Sequence, residues 1–213
     1  FASLLVATSA YASNGVYIEQ VGNNNALTIT QTGNNNKVGT DTNSSTITGN
    51  NNIVTVSQTG NGNTLDYTIV GNTNTVTKTI TGNNNKITFT CGDNVTACMN
   101  VASTMTLAGN SNTVTSTIKG NHITNSITAT GSSNTITQTI TTDNSYSKMA
   151  ITGDFNTINS SMTGSSGGAG HYLDLMVAGS TNTHNITQSG SVDTTVIIKT
   201  TGSSNTVNVT TGN

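Results

Sequence analysis

The sequence predicts an all-β fold. It is a β-solenoid of two-strand coils of about 22 residues, built from eleven-residue strand-turn repeats and flattened like an amyloid β-helix. Three observations predict it. Asparagine-rich glycine turns recur at a spacing of eleven residues, opening at Gly22, Gly33, Gly49, Gly60, Gly71, Gly82, Gly109, Gly120, Gly131, Gly153, Gly179 and Gly190. Between them, apolar and polar residues alternate, which is the period of a strand. Charged residues are only 7% of the 213, and Pro is absent, so the usual blockers of strand pairing are missing.

The chain opens with Phe1 to Ala12, an apolar run ending in Ala10-Tyr11-Ala12. This has the look of a leader remnant with an A-x-A cleavage site, too short to span a bilayer. The alternative is a first apolar strand. One solenoid domain is then expected over 13–213, with insertions near 39–46, 91–98 and 165–170.

Within a repeat the reasoning is local. After Gly71, Thr75, Thr77, Thr79 and Thr81 point one way, and Val76, Lys78 and Ile80 the other. After Gly131 the same split sets Thr135, Thr137, Thr139 and Thr141 against Ile136, Gln138 and Ile140. β-Branched residues suit this geometry. Nine residues past each Gly runs an inward column: Gln31, Gln58, Ile69, Ile80, Ile118, Ala129, Ile140, Met162, Val177 and Gln188, with Gly168 opening the unit of Val177. Three past each Gly lies Asn25, Asn36, Asn52, Asn63, Asn74, Asn85, Asn112, Asn134, Asn156 or Asn182, placed to hydrogen-bond to coils above and below. One strand and turn cannot bury its own apolar side, so two face each other in a coil. About sixteen strands then give roughly eight coils and a rod on the order of 40 Å long.

The register breaks in three places. Gly33 to Gly49 spans sixteen residues, so Gly39 to Thr46 is expected to bulge. Gly82 to Gly109 spans 27, with Cys91 and Cys98 bracketing GDNVTA; a disulfide there would close the bulge and keep the coils in register. Free thiols and half of a metal site are the alternatives. Ser165 to Gly170 adds four residues before a strand apolar on both faces, and Asp143 to Met149 has lost the turn signals. Surface function sits most easily at such interruptions.

The segment Gln20 to Gln31 resembles the curlin repeat, Q-x-G-x-x-N-x-A-x-x-x-Q. Gln20, Gly22, Asn25 and Gln31 fall on the pattern, with Leu27 where the family prefers Ala. It restarts at Gln31, Gly33 and Asn36, at Gln58, Gly60 and Asn63, and in part at Gln188 and Gly190. The spacing covers most of the chain, the full signature about a quarter of it. The resemblance implies a secreted subunit of an extracellular amyloid fibre used in biofilm and surface adhesion. Its partner would be a second copy of itself, with a nucleator or cell-surface anchor as further partner classes.

Elementary physics leads to the same partner. A solenoid ends in two open strand edges, where copies can stack head to tail. The expected contact is Val16, Ile18 and Gln20 at one end and Val207 and Val209 at the other. Other readings stay open: a Thr-rich ice-binding or surface-binding solenoid, and a viral or cell-surface fibre or adhesin shaft with a carbohydrate-binding loop. Six scattered Lys and no Arg cannot form a nucleic-acid groove. No catalytic residue, cofactor or metal is expected, because His122, His171 and His184 lie far apart and the eight acids are scattered.

Overall fold

A computed structural model describes residues 4–7, 13–164 and 168–212. The strands, in chain order, are Leu4–Ala7 (β1), Gly15–Val16 (β2), Ile18–Val21 (β3), Ala26–Thr32 (β4), Lys37–Val38 (β5), Ser45–Thr48 (β6) and Ile53–Thr59 (β7). Thr64–Asn72 (β8), Thr75–Thr81 (β9), Lys86–Cys91 (β10), Cys98–Met99 (β11), Ala102–Ala108 (β12), Thr113–Ile118 (β13) and Thr124–Thr130 (β14) follow. Thr135–Ile140 (β15), Thr157–Met162 (β16), Tyr172–Leu173 (β17), Thr183–Gln188 (β18), Thr195–Val196 (β19) and Thr206–Thr211 (β20) complete the chain. Among the described residues there is no helix.

The fold is a β-solenoid whose strands all pair in parallel. One face is the six-strand sheet β1-β4-β7-β9-β12-β14, prolonged by single bridges Thr124 to Tyr146 to Tyr172 and by β17 with β19. The other is a twelve-strand sheet whose main path runs β2-β5-β8-β10-β13-β15-β16-β18-β20. That path gives nine rungs separated by eight turns. At one strand spacing per turn, ~4.8 Å, the rod is on the order of 40 Å long.

A turn takes 22 residues where nothing is inserted, as between Asn112 and Asn134. It takes 27 where five are added, 26 across the segment containing 165–167, and 23 in the last turn. The extra residue of the last turn, between Gly190 and Gly202, escapes a reading of the sequence that takes Gly190 as the last opener. The added residues leave the ladder undisturbed. Val38 pairs with Leu65 and Thr46 already pairs with Thr68, so the bulge expected over 39–46 narrows to the Thr40–Asn43 turn and its flanks. Residues 165–167 of the third insertion, and 1–3 and 8–12 of the expected leader, lie outside the described residues. Leu4 to Ala7 of that leader run in register beside Leu27 to Thr30.

Alternation sends every second side chain into a slab between the faces. The inward column from Gln31 to Gln188 is buried throughout. Leu65, Tyr67 and Ile69 of β8 face Val54 and Val56 of β7, and the same arrangement repeats up the rod. A buried polar seam crosses the slab. Lys78 Nζ donates to Ser103 Oγ at 2.7 Å, and Ser103 Oγ donates to Asn125 Oδ1 at 2.8 Å. Asn125 Nδ2 donates to Gln138 Oε1, and Gln138 Nε2 donates to Ser147 Oγ at 2.7 Å. Lys78 Nζ also sits 4.0 Å above the Phe89 ring centroid. Burial pulls its pKa down from 10.5 to about 7, because the interior disfavours the ammonium form.

Candidate functional site

Three features of the rod can act on other molecules: its corner ladders, its two ends, and an interrupted stretch of the six-strand face.

The corners explain the Gly-Asn code. Each coil has two corners, so the asparagines expected as one column divide between two. Asn36, Asn63, Asn85, Asn112, Asn134, Asn156, Asn182 and Asn205 stack on one edge of the rod. In each step the backbone N–H of the later Asn donates to Oδ1 of the earlier one, and its Nδ2 donates to the same atom. Nδ2 also donates to the glycine carbonyl of the next rung, as Asn112 does to Gly131 at 2.9 Å. On the return edge Asn25, Asn52 and Asn74 do the same, and then the column continues as Val101 and Ile123.

A second ladder escapes a reading of that single position. Along the edge of Asn34 and Asn61, the residue directly after the Gly offers its side-chain oxygen to the backbone N–H of the rung before it, so its bonds point the opposite way. Asn34 N donates to Asn61 Oδ1 at 2.9 Å, Asn61 N to Asn83, Asn83 N to Asn110, and Asn110 N to Ser132 Oγ. Asp154, Ser180 and Ser203 carry it on. The residue two past Gly takes the left-handed conformation, with φ near 55° at Asn24, Asn35 and Asn84. Glycine itself is demanded by contact. At Gly60, φ is 115°, and a Cβ would lie 1.9 Å from the carbonyl oxygen of Gly82.

The glutamines do not form one ladder. Gln31 Nε2 donates to Gln58 Oε1 at 2.7 Å, and Gln58 then lies opposite Ile80. Gln20 is on the other face, half-buried, opposite Ile47. Gln188 instead donates to the carbonyls of Tyr172 at 2.7 Å and Thr194 at 2.9 Å. Replacement of Gln by Ile at later repeats leaves no amide for them to meet.

Cys91 and Cys98 are both buried and bonded, with Cα atoms 5.6 Å apart. The loop they close is ordered by Asp93, whose Oδ1 accepts from Val95 N and Thr96 N and whose Oδ2 meets Lys119 Nζ at 2.7 Å. The Lys119 bond first, then the two backbone N–H groups, hold the Asp93 carboxyl down to about 2.

At the ends, Val16 and Ile18 pack half-buried against the core from the first rung, and Val207 and Val209 are half-buried in the last. Both rungs occupy the same columns as the interior core. The Asn ladder also reaches both ends: Asn14 Oδ1 accepts from Asn36 N, and Asn205 is the last donor.

The interrupted stretch places Tyr146 and Tyr172 in one outward column, stacked with ring centroids 4.8 Å apart and planes 10° from parallel. Leu173, Leu175 and Val177 of this stretch are buried; Met176 and Ile197 are exposed. His171 is buried, with Nε2 3.0 Å from Thr163 O and Nδ1 3.0 Å from Thr194 Oγ1. The acids do not converge. Asp143 Oδ1 accepts from Asn121 N at one edge, and Asp154 Oδ1 from Ser132 N at the other. Among the described residues no group of His, Cys, Asp and Glu is arranged to hold a metal ion. No family model, curated protein or solved structure matches this chain.

Proposed function

We propose that this chain is a secreted structural subunit of an extracellular, amyloid-like fibre serving biofilm or surface adhesion, and that copies add head to tail through their end rungs. It is read as a divergent curlin-like protein without catalysis. The observation that supports this most is the match between the ends. Continuing the register one rung past β20 sets Gly15 of the next copy beside Thr206, Val16 beside Val207 and Ile18 beside Val209. Inward apolar residues then stack on inward apolar residues. Asn14 follows Asn205 in the ladder, and open N–H and C=O groups find partners on both sides. No Pro blocks either edge, and residues 203–212 carry no charge. Such a joint is heterologous and does not close, so it propagates.

The test is thioflavin-T fluorescence with negative-stain microscopy on the protein lacking residues 1–12 and on the full chain. Unbranched, dye-binding fibres are expected. They should vanish in the double variant Val207→Lys, Val209→Lys, which leaves the rod folded by circular dichroism. Monodisperse rods at high concentration, or fibres from the double variant at the native rate, overturn the reading.

The Thr columns favour a second reading, a surface-binding or ice-binding lattice. Thr113, Thr135, Thr157, Thr183 and Thr206 stand in one outward column of the twelve-strand face. Thr55, Thr77 and Thr104 stand in another on the six-strand face. Thr therefore coats both faces, whereas an ice-binding lattice needs only one. Measurable thermal hysteresis would move this reading to first place.

A further inference from the structure

The last rungs of the six-strand face differ from the rest of it. Elsewhere its outward positions are mostly Thr, Ser and Ala; here one column reads Thr124, Tyr146, Tyr172, Thr195. The two rings stack at 4.8 Å, which is the spacing of adjacent strands. The next position is Thr195, too small to cover the outer face of Tyr172. A shallow cavity of ≈ 410 Å³ opens there, bounded by the tyrosines, Asp193, Thr195, Ile197 and the backbone at Ala169–Gly170.

We propose that this cavity binds a pyranose ring of a neutral polysaccharide, stacked on Tyr172 at the place a third ring of the column would take. A pyranose has apolar C–H faces and a hydroxyl-bearing rim. The cavity matches both: an aromatic face and the exposed Ile197 side chain for the ring faces, and Asp193 and the Thr195 hydroxyl for the rim. Asp193 is fixed in place, because its Oδ2 accepts from Ala169 N at 2.7 Å and its Oδ1 from Gly170 N at 3.0 Å. Each oxygen keeps a further lone pair for a sugar hydroxyl. The carboxylate disfavours sulfated or uronic chains, so the ligand is uncharged. A plain aromatic ligand would leave these rim acceptors unused. The site lies on the side of the rod, so binding does not depend on end-to-end assembly, and its failure would leave the fibre reading intact.

The experiment titrates the full chain, as monomeric rods, with cellohexaose and with chitohexaose while following tyrosine fluorescence. The chain has five Tyr and no Trp, which makes that signal readable. Saturable binding of at least one oligosaccharide is expected, weakened tenfold or more in Tyr172→Ala. A second variant, Thr195→Tyr, fills the third place of the column; it should abolish binding while keeping the thermal midpoint at or above that of the native rod. Absence of saturable binding to both probes overturns the proposal. So does undiminished affinity in Thr195→Tyr, or binding of p-nitrophenol at this site without either sugar.

Discussion

Replacing Lys78 by Met should stabilise the rod at neutral pH and flatten its pH dependence. Lys78 is buried at 2% exposure, and among the described residues Nζ finds Ser103 Oγ and the Phe89 ring. Its pKa is about 7 in the fold against 10.5 when solvated, so the unfolded chain binds more protons between those values. Stability from this group therefore rises with pH through that window and is lost as pH falls toward the folded pKa. Linkage at 1.36 kcal/mol per unit gives a gain of roughly 3 kcal/mol between pH 7 and pH 9.5. For a chain of this size that is roughly 6–12 °C in thermal midpoint. Burial raises the Tyr67 hydroxyl pKa, which acts in the opposite sense only above its solvated value, so the window stays below pH 9.5. Met retains the apolar stem and has no charge to desolvate. Ser103 keeps its bond to Asn125. Thermal melts followed by circular dichroism at pH 7, 8 and 9.5, for both proteins, make the test. A native midpoint that does not move across this range, or a Lys78→Met rod that melts below the native one at pH 7, refutes the reasoning.

Further predictions concern the corners and the disulfide. Asn112→Ala leaves the backbone N–H of Asn134 and the carbonyl of Gly131 without their buried partner. It should cost about 2–4 kcal/mol in urea unfolding, against under about 1 kcal/mol for Asn61→Ala on the exposed outer ladder. Gly60→Ala meets the Gly82 carbonyl and should cost about 3 kcal/mol or more, measured the same way. Gly62→Asn sits at a left-handed position with φ 67°, and its Cβ displaces only the exposed Asn84 amide, 2.5 Å away, so it should be neutral or stabilising by ~0.5 kcal/mol. Removing the Cys91–Cys98 bond frees a loop of sequence separation 7 and should cost roughly 2.5 kcal/mol. Faster amide exchange over 92–97, with rungs beyond β8 and β13 unchanged, is the expected signature.

The coil architecture was legible because period two and period eleven are enforced by different constraints. Alternation follows from the slab, and the glycine period follows from carbonyls packed against each corner, as at Gly60 and Gly82. Alternation even set Lys78 and Gln138 on the inward side, against their polarity. The sorting of asparagines onto two edges was not legible, because nothing in Asn25 or Asn36 alone says which corner it occupies. The outer ladder was hidden by chemistry that admits Asn, Ser and Asp alike, as at Asn110, Ser132 and Asp154. Least legible was the tyrosine column. Tyr146 and Tyr172 are 26 residues apart in sequence, and only the four added residues between them set the two on one column.

The two five-residue insertions carry a practical consequence. At Thr40–Asn43 and at Asp93–Thr96 the chain leaves the twelve-strand face and returns to it with the strands on either side still paired in register. The length of these loops therefore holds no information the rod needs. Foreign peptide grafted at Asp93–Thr96, between two bonded cysteines, would be presented as a closed loop on a rigid post. If rods stack in a line, each graft would recur once per nine rungs, about every 43 Å, giving a one-dimensional lattice of displayed epitopes whose pitch is set by chain length alone.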